Sequence, residues 1–210
     1  MPPTASTAPA APANKEWAVI VRALLAGEQI LDVRKGGIRE AGRHFGVPAN
    51  RFWLAPTVEH QRAELLKPAY SRWVDDSVAA APPGRAIRIE GWADLVGVAT
   101  VTTDEALDAV AGSLIWSTDY VASRLRWKPR DPLWILALRV HRLVTPLEIP
   151  WRDDYGGCTS WVTLDGLPAD PGALPSELAL EDAAFDARLT GARNALAEVG
   201  VELATPPTDD

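Results

Sequence analysis

The sequence predicts a single α+β domain with a mixed or antiparallel sheet and a C-terminal amphipathic helix. Three observations lead there. Apolar, β-branched runs over residues 86–102 and 133–144 read as long strands, the second as a central one. The order is helix, two strands, helix, then strands with inserted helices, which is not the regular alternation of a parallel α/β fold. Near the C-terminus Leu178, Phe185, Leu189, Ala192, Leu196 and Val199 follow steps of 7, 4, 3, 4 and 3, which is one helical face. The 210 residues are 47% hydrophobic and 23% charged, ordinary for a globular chain and enough to bury a core.

Each element has its own signal. Residues 1–13 are uncharged Pro, Ala, Ser and Thr behind the initial Met and read as a disordered tail, with neither a basic leader nor a transit peptide's arginines. Order begins at Asn14, a helix N-cap by type. Trp17, Val21, Leu24 and Leu25 fit a helical face, while the alternation Trp17, Val19, Val21 fits a strand; the ending Ala-Leu-Leu-Ala-Gly27 favours the helix. Gln29–Val33 reads as a strand and Lys35-Gly36-Gly37 as its loop. Residues 51–55 form a strand stopped by Pro56, and Val58–Lys67 a helix ended by Pro68. Ala81-Pro82-Pro83-Gly84 is a break, after which Gly91 and Gly97 mark bends or bulges in the strand over 86–102. Asp104 caps a short helix to about Val110, and Ser117 caps a helix over 117–127. Pro146 and Pro150 end the long strand, and Cys158–Leu164 is a short one. The domain body is 14–175. Ser176 caps an acidic helix over 176–200 that stops at Gly200, and 201–210 is a frayed tail.

The net charge of −7 is unevenly placed. Residues 176–210 hold 2 basic and 8 acidic residues, so that segment carries −6. Two stretches of the body, 34–72 and 122–142, each carry +5. They read either as solvated, ion-paired surface or as an anion-binding surface. Cys158 has no partner for an internal disulfide and fits a reducing cytoplasm. One Cys with His44, His60 and His141 is a poor ligand set for structural zinc, so no metal is expected. Phosphate-loop, dinucleotide and serine-hydrolase motifs are missing, no cofactor is expected, and no apolar run has the length to span a membrane.

One spacing carries chemistry. In Gly27-Glu28-Gln29-Ile30-Leu31-Asp32-Val33-Arg34, a strand would place Asp32 and Arg34 on one face, an acid and a guanidinium able to hold a base edge or a phosphate. The stretch resembles the G-x-K-x-x-E-x-R signature of ASCH domains, a branch of the PUA-like fold, with Gln29 in place of the lysine and Asp32 in place of the glutamate. Residues 92–101 followed by the strand 133–144 are similar to the barrel strands of PUA-like EVE domains. These resemblances imply a partly open barrel that binds RNA or modified bases. A second resemblance rests on Lys15-Glu16-Trp17-Ala18-Val19, Arg34-Lys35-Gly36-Gly37-Ile38, Pro56-Thr57, His60-Gln61, Leu66-Lys67-Pro68 and Tyr155-Gly156-Gly157-Cys158-Thr159-Ser160-Trp161-Val162. Together these resemble an uncharacterised prokaryotic family, domain of unknown function 1802, which implies no activity.

The expected function is a nucleic-acid-related binding module for RNA, a nucleotide or a modified base. Its candidate ligand-binding residues are Arg34, Lys35, Arg39, His60, Gln61, Arg124, Arg126, Trp127 and Lys128, with Trp127 set to stack a base among phosphate-neutralising cations. The bland counterpart is a helix end whose cations favour the dipole. The alternative is a small hydrolase or nuclease, with Asp32 as acid or base and His60 as helper. A Cys158–His pair is a further, weaker nucleophile candidate. The acidic C-terminal helix could dock on a protein partner or cover the basic surface in cis.

Overall fold

The computed structural model describes residues 11–35, 47–82, 86–126, 131–157 and 159–206. Among the described residues seven strands form one sheet: β1 (Ala11–Trp17), β2 (Leu31–Lys35), β3 (Arg51–Thr57), β4 (Ala86–Val101), β5 (Leu133–Pro150), β6 (Trp161–Leu164) and β7 (Ser176–Leu178). Their order is β2-β5-β4-β3-β1-β6, with β7 beside the far half of β5. Only β1 and β3 run parallel; every other pair is antiparallel, so the sheet is mixed. The helices are α1 (Ala18–Leu25), α2 (Arg72–Ala79), α3 (Asp104–Ala111), α4 (Thr118–Arg126) and α5 (Asp182–Glu198).

β4 and β5 form the spine. Their ladder shifts register at Ile89/Gly91 and at Leu95/Gly97, the two glycines that punctuate the sequence. At Gly91 a Cβ would lie 2.4 Å from the His141 carbonyl oxygen, so glycine is needed for the close approach. The bends curl the sheet into a half-barrel. Arg34 on β2 reaches Asn14 and Glu16 on β1, although those strands lie near opposite ends of the strand order. Side chains rather than a backbone ladder thus bridge the open seam.

Strand alternation builds two cores. On β3, Phe52 and Leu54 face a large core beneath α1, α3, α4 and α5, while Trp53 and Ala55 face a smaller one with Ile89, Trp92 and Leu164. The large core takes Phe185, Leu189, Ala192 and Leu196 from α5, so the apolar face of that helix is already covered by its own chain.

Several expected boundaries move. Residues 11–13, expected in the tail, belong to β1, because backbone pairing with Leu164–Trp161 and with β3 needs no particular side chain; residues 1–10 lie outside the described residues. Asn14 lies inside that strand and caps nothing; both readings of 14–25 are partly right, as β1 passes directly into α1. Pro56 does not stop β3. The β3–β4 ladder covers only Arg51–Trp53, so the missing N–H lies beyond it. Pro146 falls where β5 leaves β4 between Arg142 and Leu147, so β5 runs on to Pro150. The helix over 58–67 is replaced by a turn and one 3₁₀ turn (Ala63–Leu65), with a second 3₁₀ turn following at Pro68–Tyr70, because His60 takes a positive φ of 61° that no α-helix contains. Ser176 starts β7 rather than a helix, and α5 begins at Asp182. In the expected frayed tail beyond Gly200 (φ 76°), Ala204 bridges Val98 and Leu203 is buried; residues 207–210 lie outside the described residues. The cap of α3 is Thr103, one residue before Asp104, and Ser117 Oγ does accept from the Tyr120 N–H.

Candidate nucleotide-binding cleft

A cleft of about 290 Å³ opens at the seam of the half-barrel. Its walls come from the end of β1 (Lys15–Trp17), the end of β2 (Val33–Lys35), the end of β3 and the turn after it (Thr57, Glu59, His60), Trp116 ahead of α4 with Tyr120 and Arg124 on that helix, and Gly157, Thr159 and Ser160. The two basic stretches therefore meet: Arg34 and Lys35 of one share this space with Arg124 of the other.

The floor is a buried charged network. Asn14 and Glu16 alternate on β1 as Asp32 and Arg34 do on β2, so four polar side chains face one another across the seam. All four are nine-tenths or more buried. Arg34 Nη1 donates to Glu16 Oε2. Its Nη2 donates to Asn14 Oδ1 at 2.7 Å and to the Lys15 carbonyl at 2.8 Å. Glu16 Oε1 accepts from the Trp17 N–H at 2.6 Å. Asp32 lies behind, its Oδ2 3.6 Å from Arg34 Nε and its Oδ1 without a hydrogen-bond partner. Two carboxyl groups thus share one guanidinium. Desolvation raises the Glu16 pKa from 4.5 to about 7; Arg34 pulls it down and Asp32 adds to the rise. For Arg34, burial opposes the charge, but Glu16 and Asp32 outweigh it and hold the pKa above its ordinary value.

One wall is aromatic. Trp17 and Trp116 have ring centroids 5.0 Å apart, and Trp116 and Tyr120 4.6 Å apart, both pairs tilted. Burial raises the pKa of the Tyr120 phenol, with Arg124 pulling it back.

The expected site residues fall into different places. Arg34, Lys35, His60 and Arg124 line the cleft together. The Lys35 ammonium, however, donates to the carbonyls of Leu125 and Asp131, tying β2 to the end of α4. Its pKa is lowered, by burial first and by Arg124. His60 is exposed in a turn, not on a helix. Gln61 sits at the start of α1, where its Oε1 accepts from the Val19 N–H at 2.9 Å. Arg126 is exposed at the end of α4, away from the lining. Asp32 is only 1% exposed and lies beneath Arg34 rather than in the lining. Gln29 does not reach the cleft: its amide bridges the Leu31 carbonyl and the Ile115 N–H. Arg39, Trp127, Lys128 and Cys158 lie outside the described residues. His141 stacks on Trp92 at 3.7 Å and approaches Asp94.

Sequence reasoning missed Glu16, Trp17 and Tyr120 as site residues. The signal for Glu16 was its two-residue step from Asn14, hidden by reading that stretch as a helix. Among the described residues no three His, Cys, Asp or Glu side chains gather where they could hold a metal ion. No helix among them is long and apolar enough to cross a membrane.

The topology and seam define an α+β domain with a mixed half-barrel sheet and a polar, aromatic-walled cleft. The chain belongs to the family described as domain of unknown function (DUF1802), whose model matches residues 13–190. A search of solved structures found the crystal structure of a mutant of ZmASCH from Zymomonas mobilis. The two are 13% identical with a TM-score of 0.44, over 74% of this chain and 90% of that one. No curated protein matches the sequence.

Proposed function

We propose that the cleft binds one unstacked base of RNA, or a nucleotide, inside a reducing cytoplasm. The observation that carries this reading is the joining of an aromatic wall (Trp17, Trp116, Tyr120) to a floor and rim that hold Arg34 and Arg124. A planar base offers its face to the rings, and its phosphate is drawn to the cations. The volume of about 290 Å³ is at the lower edge of small-molecule sites and fits one base rather than a duplex. A hydrolase built on Asp32 and His60 fits less well, because Asp32 is buried beneath Arg34 while His60 is exposed on the rim.

Filter retention of a mixed RNA pool over a salt series tests the proposal. Binding at low ionic strength should weaken with salt, with a shallow logarithmic slope of about −0.7 per phosphate held. Tyr120→Ala and Arg124→Ala should each weaken it. Retention that is absent at low salt, or indifferent to both substitutions, refutes the reading.

A further inference from the structure

We propose that Arg34 is a proton-linked oxyanion site: a phosphodiester oxygen of RNA replaces Glu16 on the guanidinium, and Glu16 takes up one proton. The inference rests on the RNA reading above and names the contact that would hold the phosphate. Its basis is the two-to-one ratio of carboxyl groups to guanidinium at the cleft floor. Arg34 Nη2 already donates to Asn14, to the Lys15 carbonyl and, at 3.4 Å, to the Ser160 carbonyl, while Nη1 donates to Glu16. An anion that takes the Nη1 edge of the guanidinium therefore competes with Glu16. Asn14 and the two carbonyls are neutral and cannot relieve the added negative charge. Glu16 can, because it lines the cleft and becomes neutral on protonation.

Asp32 makes the exchange tolerable. It stays behind Arg34, with Oδ2 3.6 Å from Nε, so the buried guanidinium keeps a counter-charge while Glu16 is neutral. The balance is simple: Glu16–COO⁻ on Arg34, plus an oxyanion and one proton, gives Glu16–COOH and the oxyanion on Arg34. No bond other than O–H forms. The Glu16 pKa of about 7, raised by desolvation, puts the exchange near neutrality. Besides Arg34, Asp32 from β2 and Arg124 from α4 act on the Glu16 charge, and the other titratable groups lining the cleft are Lys35 from β2, Tyr120 from α4, Glu59 and His60 from the turn after β3, and Lys15 on its own strand.

If only the protonated form admits the anion, affinity follows the protonated fraction of Glu16 and rises about tenfold from pH 8 to pH 6. The probe is a short single-stranded RNA, whose phosphodiesters stay ionised over that range, with sulfate as a second oxyanion. The expected result is that rise in affinity, and uptake of about one proton per RNA bound, read as a buffer-dependent calorimetric heat at pH 8. Glu16→Gln should bind at pH 8 as the wild type does at pH 6, with no pH dependence, while His60→Ala should keep it. A wild-type affinity flat with pH, no proton uptake, or loss of the pH dependence in His60→Ala would overturn the proposal. The calorimetric measurement uses only the native chain, so it decides even if Glu16→Gln folds poorly. Proton-linked binding of sulfate without RNA binding would sustain the oxyanion site and sink the RNA reading. RNA binding without proton uptake would do the reverse.

Discussion

Glu16 should make the fold less stable as pH rises, and Glu16→Gln should remove that dependence. In the folded chain burial holds this carboxyl near pKa 7, whereas an exposed glutamate titrates near 4.5. Between those values the folded state keeps a proton that the unfolded state has released. Stability therefore falls as pH rises through this window and levels off above 7. The pKa difference of about 2.5 converts, at 1.36 kcal/mol per unit, to about 3 kcal/mol. Other carboxylates work the opposite way: Asp94 is held below its ordinary pKa, where hydrogen bonds from His141 and Arg51 outweigh burial. The informative quantity is thus a difference. Urea unfolding of wild type and Glu16→Gln at pH 5, 6, 7 and 8 should show the variant gaining on the wild type by about 2.5 kcal/mol across the series, mostly below pH 7. A stability difference constant across the series, or one moving against the variant as pH rises, would show that Glu16 is not held protonated by its surroundings.

Arg34→Met should be far worse than either, because Glu16 and Asp32 would be left buried without their cation; a loss of about 3–5 kcal/mol in urea unfolding is expected. Gln29→Ala removes a fully buried amide that joins Leu31 to Ile115 and should lower stability by about 1–3 kcal/mol, read as a drop in the thermal midpoint. Gly91→Ala should cost about 1–3 kcal/mol or more in the same assay, since the added methyl meets the His141 carbonyl and Leu25. Leu196→Ala should cost about 2–5 kcal/mol, as expected if α5 belongs to the core; an unchanged midpoint would reopen its role as a docking helix.

The parts legible in the sequence were those where side-chain periodicity coincides with burial. The spine strands, the glycine bends, α3, α4 and the apolar face of α5 all follow from such patterns. So does the shared face of Asp32 and Arg34. The rest depended on backbone pairing or on contacts remote in the chain. The first half of β1, Ala-Pro-Ala-Asn, is held by backbone ladders to β3 and β6, and no composition rule finds such a strand. The helix expected over 58–67 had the right residues but not the conformation of His60. Gln29 matched a motif position, yet its amide fastens Ile115, a partner 86 residues away. Lys35 lines the cleft, but the carbonyls that engage its ammonium lie 90 and 96 residues further on.

The seam also dictates when the cleft comes into being. Its walls are drawn from five segments between Lys15 and Ser160, and among the described residues the outer side of β1 is held by Ser160 and by Trp161–Leu164. A growing chain can pair β4 with β5 well before that strand emerges, yet the floor beneath Arg34 still lacks the Ser160 carbonyl and the outer wall. Closure joins segments some 150 residues apart, the kind of long-range contact that makes folding slow. Without that closure Glu16, Asp32 and Arg34 would lie in water, where neither carboxyl is desolvated. The chemistry of the cleft is thus a property of the closed seam and of no single segment of it.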